Sequence, residues 1–387
     1  MTPWGVLLQR LAEAPRENGS AALHQTAAFL QQTLADAGLE SGALAFTAEP
    51  YRLRLAGVFA LGAGLLYARA MLAGRRGVAL AVALLFPALL VAQLDYGVPV
   101  FGWIGAQRQV DVRARLPVEA PARRLVFTAH YDTKTDVLDH VERGPIERLA
   151  LPVAILMILA PAAAGARLRR GRLPWVAPVA AGVAVLYGLA MFVAFSAGAF
   201  LSRRSPGALD DGGACALLVR LAESLAAMPP LERTEVQVAL LSAEEVGVQG
   251  STHLAADLLA ATPALPTFVV NLEGIGASTD HAVLGSERFS LRSMPPDARL
   301  VAFLDAVYRE RFEQPLAITT YGGATDARSF LARGIPAATL ITRVPGERFT
   351  RGLHSARDHR SRLDPEALDA SLGYLLAVVQ AFDRRAP

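Results

Sequence analysis

The chain has a single cysteine, Cys215, among 387 residues, so an internal disulfide is excluded, and the thiol reads as a small packed hydrophobe. It also has a single lysine, Lys134, so the net charge of +3 and the pI near 9.2 rest on scattered arginine. With no basic block and no ladder of aromatics, nucleic acid is not expected as a partner, and the arginine bias reflects genome composition. Residues 1–20 lack the basic start and apolar run of a signal peptide, so the first apolar tract, 53–94, is expected to direct insertion into a membrane. Charge is scarce: 19% of residues are charged against 53% hydrophobic. That is apolar for a soluble enzyme, yet too polar for a many-spanning transporter. There is no internal repeat, and nothing of low complexity beyond two apolar tracts.

Those tracts are 53–94 and 149–201. Each contains two apolar stretches of roughly 18–25 residues around an arginine-bearing turn, long enough for a hydrocarbon core of about 30 Å. Pro87, Pro152, Pro161, Pro174 and Pro178 lie in or beside them, a placement commoner in membrane helices than in soluble ones. We expect two transmembrane hairpins, 55–73 with 77–94 and 149–166 with 174–200. The alternative, helices buried in a large soluble core, would need more covering surface than the rest of the chain supplies. Removing the hairpins leaves roughly 290 residues, enough for one α/β core. The expected organisation is a core split into 1–52, 95–148 and 202–387, interrupted by the hairpins 53–94 and 149–201.

Within that core five metal-ligand candidates stand in order: His130, Asp210, Glu245, Glu273 and His354. Zinc takes nitrogen and oxygen ligands at about 2.0–2.2 Å and leaves a position open for water at hydrolytic sites. Two ions about 3.5–4 Å apart need a shared ligand. Asp210 is the natural bridge, leaving two terminal ligands for each ion. Two zinc ions bring four positive charges against three carboxylates, and a bridging hydroxide would balance them in a partly buried site. The metals lower the pKa of that water to about 7. Glu244, beside a ligand, is the general base, and Asp132, two residues after His130, orients the imidazole from behind.

The layout supports one domain. Residues 123–129, 235–243 and 266–272 are short, apolar and β-branched, as buried parallel strands are, and each ends just before a candidate ligand. Helical stretches alternate with them at 216–228, 297–312 and 364–382, the last with Asp364 as N-cap and Pro365 at the first helical position. Such alternation predicts a three-layer α/β/α domain with its site outside the carboxyl ends of the strands.

The motifs HYD (130–132), GALDD (207–211), EEVGVQGS (244–251), NLE (271–273) and HSARD (354–358) resemble those of the co-catalytic zinc aminopeptidases of clan MH. That family includes leucyl aminopeptidases, glutamate carboxypeptidase II and the endoplasmic reticulum metallopeptidases. TDARSF (325–330), RGIPAATLI (333–341) and the stretch 14–38, capped by Ser20 and stopped by Gly38, are similar to further family segments. The resemblance implies a zinc-exopeptidase fold with a mixed, mostly parallel sheet and two zinc ions per chain. It departs at two points. Glu273 stands where soluble members carry Asp, although the membrane-bound branch resembles this chain there. Leu353 replaces a tyrosine that polarises the scissile carbonyl, leaving Tyr321 as the candidate phenol.

Each residue has a plainer reading beside the functional one. Asp210 and Asp211 also suit a helix cap; the family spacing favours Asp210 as bridge and Asp211 as its capping or outer partner. His359 rivals His354, and the spacing to Asp358 favours His354. Asp326 reads as an outer-layer residue, and His24, His140, His253 and His281 as ordinary histidines.

The expectation is a membrane-anchored zinc exopeptidase, foremost an aminopeptidase, with peptide substrate and lipid bilayer as its partners. The alternatives are a glutaminyl-cyclase-like acyltransferase with one zinc, and a non-catalytic membrane receptor or assembly relative. All segments of the core must lie on one side of the membrane, which two hairpins allow. The turn arginines Arg69, Arg75, Arg76, Arg167, Arg169, Arg170 and Arg172 point that side away from the cytoplasm.

Overall fold

The computed structural model describes residues 1–100, 104–166, 173–262, 264–288, 291–320, 323–344, 346–347 and 350–386. The chain begins with α1 (Trp4–Leu11), α2 (Ala21–Asp36), β1 (Glu40–Ala48), α3 (Arg52–Leu72), α4 (Arg76–Tyr96), β2 (Gln107–Leu116) and β3 (Arg123–His130). Next come α5 (His140–Arg148), α6 (Ala150–Gly165), α7 (Val176–Phe195), α8 (Gly213–Ala226), β4 (Thr234–Leu241), α9 (Gln249–Ala260) and β5 (Thr267–Glu273). It continues with β6 (His281–Leu284), β7 (Glu287–Arg288), β8 (Ser293–Met294), α10 (Ala298–Phe312) and β9 (Ala317–Thr319). The last elements are α11 (Ala327–Leu331), β10 (Ala337–Thr342) and α12 (Pro365–Arg384). Two compact units result, one from 1–50, 106–134 and 203–387, the other from 51–105 and 135–202.

The first unit is built on an eight-stranded sheet of order β1-β2-β4-β3-β5-β10-β6-β9. The central four strands are parallel, β1 and β2 add antiparallel at one edge, and β6 joins β10 antiparallel at the other. Alternation along the buried strands divides their side chains between two layers. Leu125 and Phe127 of β3, Val236 and Val238 of β4, and Val270 of β5 pack with residues of α1, α2, α8, α10 and α12. Val126, Ala239 and Val269, one step along, pack instead with Leu254 and Leu258 of α9 and Phe330 of α11. The result is an α/β/α sandwich.

Local chemistry sets the helix ends. The Ser20 hydroxyl accepts the Leu23 N–H at the start of α2, Asp297 caps α10, and Asp364 caps α12 ahead of Pro365. Gly38 takes φ +76° just past α2. Strands β1 and β2 were not anticipated: edge strand β1 buries only Phe46 and Ala48, so its apolar pattern is faint.

In the second unit four helices are long and apolar enough to cross a membrane: Arg52–Leu72, Arg76–Tyr96, His140–Gly165 and Val176–Phe195. The third begins before the expected 149 because α5 leads directly into α6, and the fourth stops at Phe195 rather than 200, giving way to a 3-10 turn over Ala197–Phe200. Glycine sets the approach of α3 and α7. A Cβ on Gly64 would lie 2.4 Å from the Ala184 carbonyl oxygen, and one on Gly188 would lie 2.8 Å from that of Ala60. Small residues at these positions let the two helix backbones approach closely. Leu84, Leu85 and Leu89 of α4 and Leu151, Ile155 and Leu159 of α6 are exposed. The turn residues 167–172, with Arg167, Arg169, Arg170 and Arg172, lie outside the described residues.

Candidate metal centre

The carboxyl ends of the parallel strands carry the polar motifs. His130 and Glu273 are the last residues of β3 and β5, so these strands run into the candidate ligands rather than ending before them. After β4 the chain turns through Ala243 at φ 59°, and Glu244 and Glu245 follow. Asp210 lies in the π-type turn Ala208–Gly212, leading into α8. His354, in the loop after β10, also holds a positive φ of 57°. A left-handed histidine costs on the order of 1–3 kcal/mol, a strain found where a side chain must be aimed.

These residues converge. Asp210 Oδ1 lies 3.1 Å from His130 Nε2, and its Oδ2 lies 3.0 Å from His354 Nε2. Glu273 Oε1 is 3.6 Å from His130 Nε2, and Glu245 Oε2 is 3.1 Å from His354 Nε2. The set therefore divides into a half with His130 and Glu273 and a half with Glu245 and His354, with one Asp210 oxygen directed at each. Asp211 is a rival member of the first half, since His130, Asp211 and Glu273 offer ligand atoms within 4.8 Å of one another. Its oxygens are already engaged, however. Oδ1 accepts the Gly274 N–H at 3.1 Å and Oδ2 the His130 N–H at 3.4 Å. Nor does Asp211 cap α8, whose N-cap is Gly212 with no side-chain bond.

Asp132 backs both the imidazole and the paired glutamates. Its Oδ1 lies 3.5 Å from His130 Nδ1, and its backbone oxygen is 3.1 Å from the same nitrogen. Oδ1 also accepts the Glu244 N–H at 3.2 Å, and Oδ2 accepts the Glu245 N–H at 3.1 Å and Asn18 Nδ2 at 2.6 Å. Asp358, four residues after His354, accepts the Leu209 N–H at 2.9 Å and the Asp210 N–H at 3.1 Å.

Burial dominates the electrostatics. It raises Glu244 and Asp211 well above the usual carboxylate range and lifts Glu273 to about 7 against the opposing charge of His130. Asp326, wholly buried, is pushed to about 7 by the same desolvation. Burial also opposes ionisation of Asp210, yet the two imidazoles hold it well below the usual range. Desolvation works against a charged His130 too, and is outweighed by Asp132, Asp210 and Glu273, which raise it well above 6.5. The centre thus holds more acid than its histidines can balance. Among the described residues Glu245 Oε1 and Glu273 Oε2 are buried without a hydrogen bond. Nitrogen and oxygen donors so arranged, with excess negative charge, fit a pair of divalent cations.

Of the other sequence candidates, Tyr321 lies outside the described residues. Leu353 is 4% exposed, and His359 is exposed with its Nδ1 2.8 Å from Ser361 Oγ. His281 is a core residue, its ring nitrogens 2.9 Å from Thr279 O and 2.8 Å from Ser371 Oγ. The sequence reading missed Asn18 as a partner of Asp132 and used Asp358 only as a spacing mark.

The fold is an α/β/α sandwich with two candidate metal-ligand groups at the carboxyl ends of its parallel strands. Residues 191–379 match the model of peptidase family M28, a stretch that contains Asp210, Glu244, Glu245, Glu273 and His354 but not His130. No curated protein matches the chain at a significant level. Among solved structures, an aminopeptidase from Aneurinibacillus sp. strain AM-1 superposes with a TM-score of 0.55 at 16% identity, over 97% of this chain and 92% of that one. The LapA aminopeptidase of Legionella pneumophila gives 0.54 at 15% identity, over 99% and 71%. A Porphyromonas gingivalis glutaminyl cyclase gives 0.54 at 14% identity, over 97% and 95%. At such identities these likenesses speak for the fold.

Proposed function

We propose that the chain is a membrane-anchored, zinc-dependent exopeptidase of M28 type, acting as an aminopeptidase. The observation that carries this is the Asp210 carboxylate, one oxygen on each of the two imidazole halves. His130, Asp210 and Glu273 would hold one zinc ion, and Asp210, Glu245 and His354 the other. Zinc bound there supplies Lewis acidity toward a scissile carbonyl and the attacking water. Glu244, next to the proposed ligand Glu245, takes the proton of that water and returns it to the leaving amine. Asp132 keeps Glu244 and Glu245 in place through their N–H groups and fixes the His130 ring. Tyr321 remains the proposed phenol for the carbonyl oxygen.

The glutaminyl cyclases of the same fold favour a second reading, acyl transfer at a single zinc. Against it stands His130, which with Glu273 completes a second ligand half. A screen of aminoacyl and acyl-dipeptide substrates, with and without chelator, separates the two. Chelator-sensitive release of N-terminal residues with two zinc ions per chain supports the peptidase. One zinc, with ring closure of an N-terminal glutamine, replaces it.

Four long apolar helices with outward leucines support anchoring in a bilayer. Arg69, Arg75 and Arg76 at the first turn favour a cytoplasmic turn, and hence a catalytic unit on the opposite side.

A further inference from the structure

Arg16 is among the largest fully buried side chains of the described residues, only 1% exposed, although the segment that carries it has no candidate ligand. Its guanidinium donates to four main-chain carbonyls. Nε reaches Tyr131 O at 2.7 Å, Nη1 reaches Ala14 O at 2.9 Å and Pro206 O at 2.8 Å, and Nη2 reaches Gly207 O at 3.0 Å. Tyr131 follows His130, and Gly207 precedes Asp210 by three residues. The side chain therefore joins the strand end bearing one ligand to the turn bearing another.

The backbone tightens the same joint. Arg16 N–H donates to Thr133 Oγ1 at 2.8 Å, and Thr133 N–H donates back to Arg16 O at 3.1 Å. Two residues on, Asn18 Nδ2 donates to Asp132 Oδ2 at 2.6 Å. There is little slack between the joined segments. Gly207 has φ +60°, and a Cβ there would meet Thr133 Cγ2 at 2.3 Å and Asp210 O at 2.6 Å.

A buried guanidinium is costly unless its donors are used, and here they are spent on neutral carbonyls. None of these acceptors is a carboxylate, so the positive charge stays available to its surroundings. Asp358, Asp132 and Asp211, the acids behind the ligands, feel that charge.

We propose that Arg16 is a positioning residue of the metal centre, locking the His130 strand end to the Asp210 turn so that the two ligand groups share one cation. The inference rests on the two-metal reading. A planar fork reaches carbonyls on several sides at once, whereas a lysine has three donors on one nitrogen and cannot. Arg16→Lys should therefore weaken zinc binding at least tenfold while leaving the metal-free fold in place.

The test uses the intact chain in detergent. Zinc affinity is read by chelator competition and the zinc-induced rise in Tm by thermal scan, for wild type, Arg16→Lys and Arg16→Met. Weaker zinc, a smaller zinc-induced rise and an apo Tm near wild type support the proposal, as does recovery of Arg16→Met by added guanidinium. Wild-type zinc affinity in folded variants overturns it. So does a lower apo Tm with the zinc-induced rise unchanged, which marks Arg16 as a fold residue only. If both variants fail to fold, Thr133→Val decides. It loosens the Arg16 segment without exposing a charge, and intact zinc affinity there also overturns the proposal. A wild-type chain that binds no zinc instead defeats the metal reading itself.

Discussion

Asp358 holds Asp210 by its main chain: Oδ2 accepts the Asp210 N–H at 3.1 Å, while Oδ1 accepts the neighbouring Leu209 N–H at 2.9 Å. The loop that carries His354 thereby fixes the turn whose carboxylate His354 faces. Burial, and then the charge of Asp210, push Asp358 up to about 6, while the two N–H groups it accepts pull the other way.

Removing that acceptor orphans two buried N–H groups, each worth about 1–3 kcal/mol. Asp358→Ala is expected to lower the stability of the metal-free chain by a few kcal/mol and to weaken the half that contains His354. Denaturant titration and zinc analysis check this; a loss below about 0.5 kcal/mol would show that the turn is held by other contacts.

Glu244→Gln keeps the size of the side chain and removes the base. Turnover should fall by about 10²–10⁴-fold, the usual worth of general acid–base catalysis, with zinc content near wild type. Activity above a few per cent would move the base elsewhere.

Asp210→Ala should weaken both ions. Glu273→Ala should loosen chiefly the ion shared with His130, and His354→Ala the one shared with Glu245, following the division of contacts. Elemental analysis across the three variants tests this, and full two-zinc occupancy in all of them would contradict the ligand sets.

His281 sets a pH dependence remote from the metals. Burial lowers it from 6.5 to about 4, so the folded chain keeps it neutral where the unfolded chain protonates it. Its contribution is present above pH 6.5 and is lost as pH falls toward 4, on the order of 3 kcal/mol across that window. Comparing the acid slope of stability in metal-free wild type and His281→Leu measures it. Equal slopes would assign the acid sensitivity to other groups.

A reporter active only in the cytoplasm should be silent when fused after Pro387 and active when placed within 74–76. The reverse pattern would invert the proposed orientation while leaving the hairpins intact.

The sequence by itself determined which candidate ligands are present and their order, the central parallel strands, and the caps at Ser20 and Asp364. These signals are local: an apolar run, a side-chain oxygen beside the first free N–H groups, a glycine past a helix end. It did not reveal edge strand β1, whose burial is slight. The division of labour between Asp210 and Asp211 was decided only in three dimensions. Adjacent and chemically identical, they differ in that one faces two imidazoles and the other spends its oxygens on main-chain N–H groups. Arg16 was invisible for the same reason. Its partners lie 115 and 191 residues along the chain, and nothing in its neighbourhood announces a buried cation. Spacing in sequence names the groups that can do chemistry; hydrogen bonds across such separations decide where each of them points.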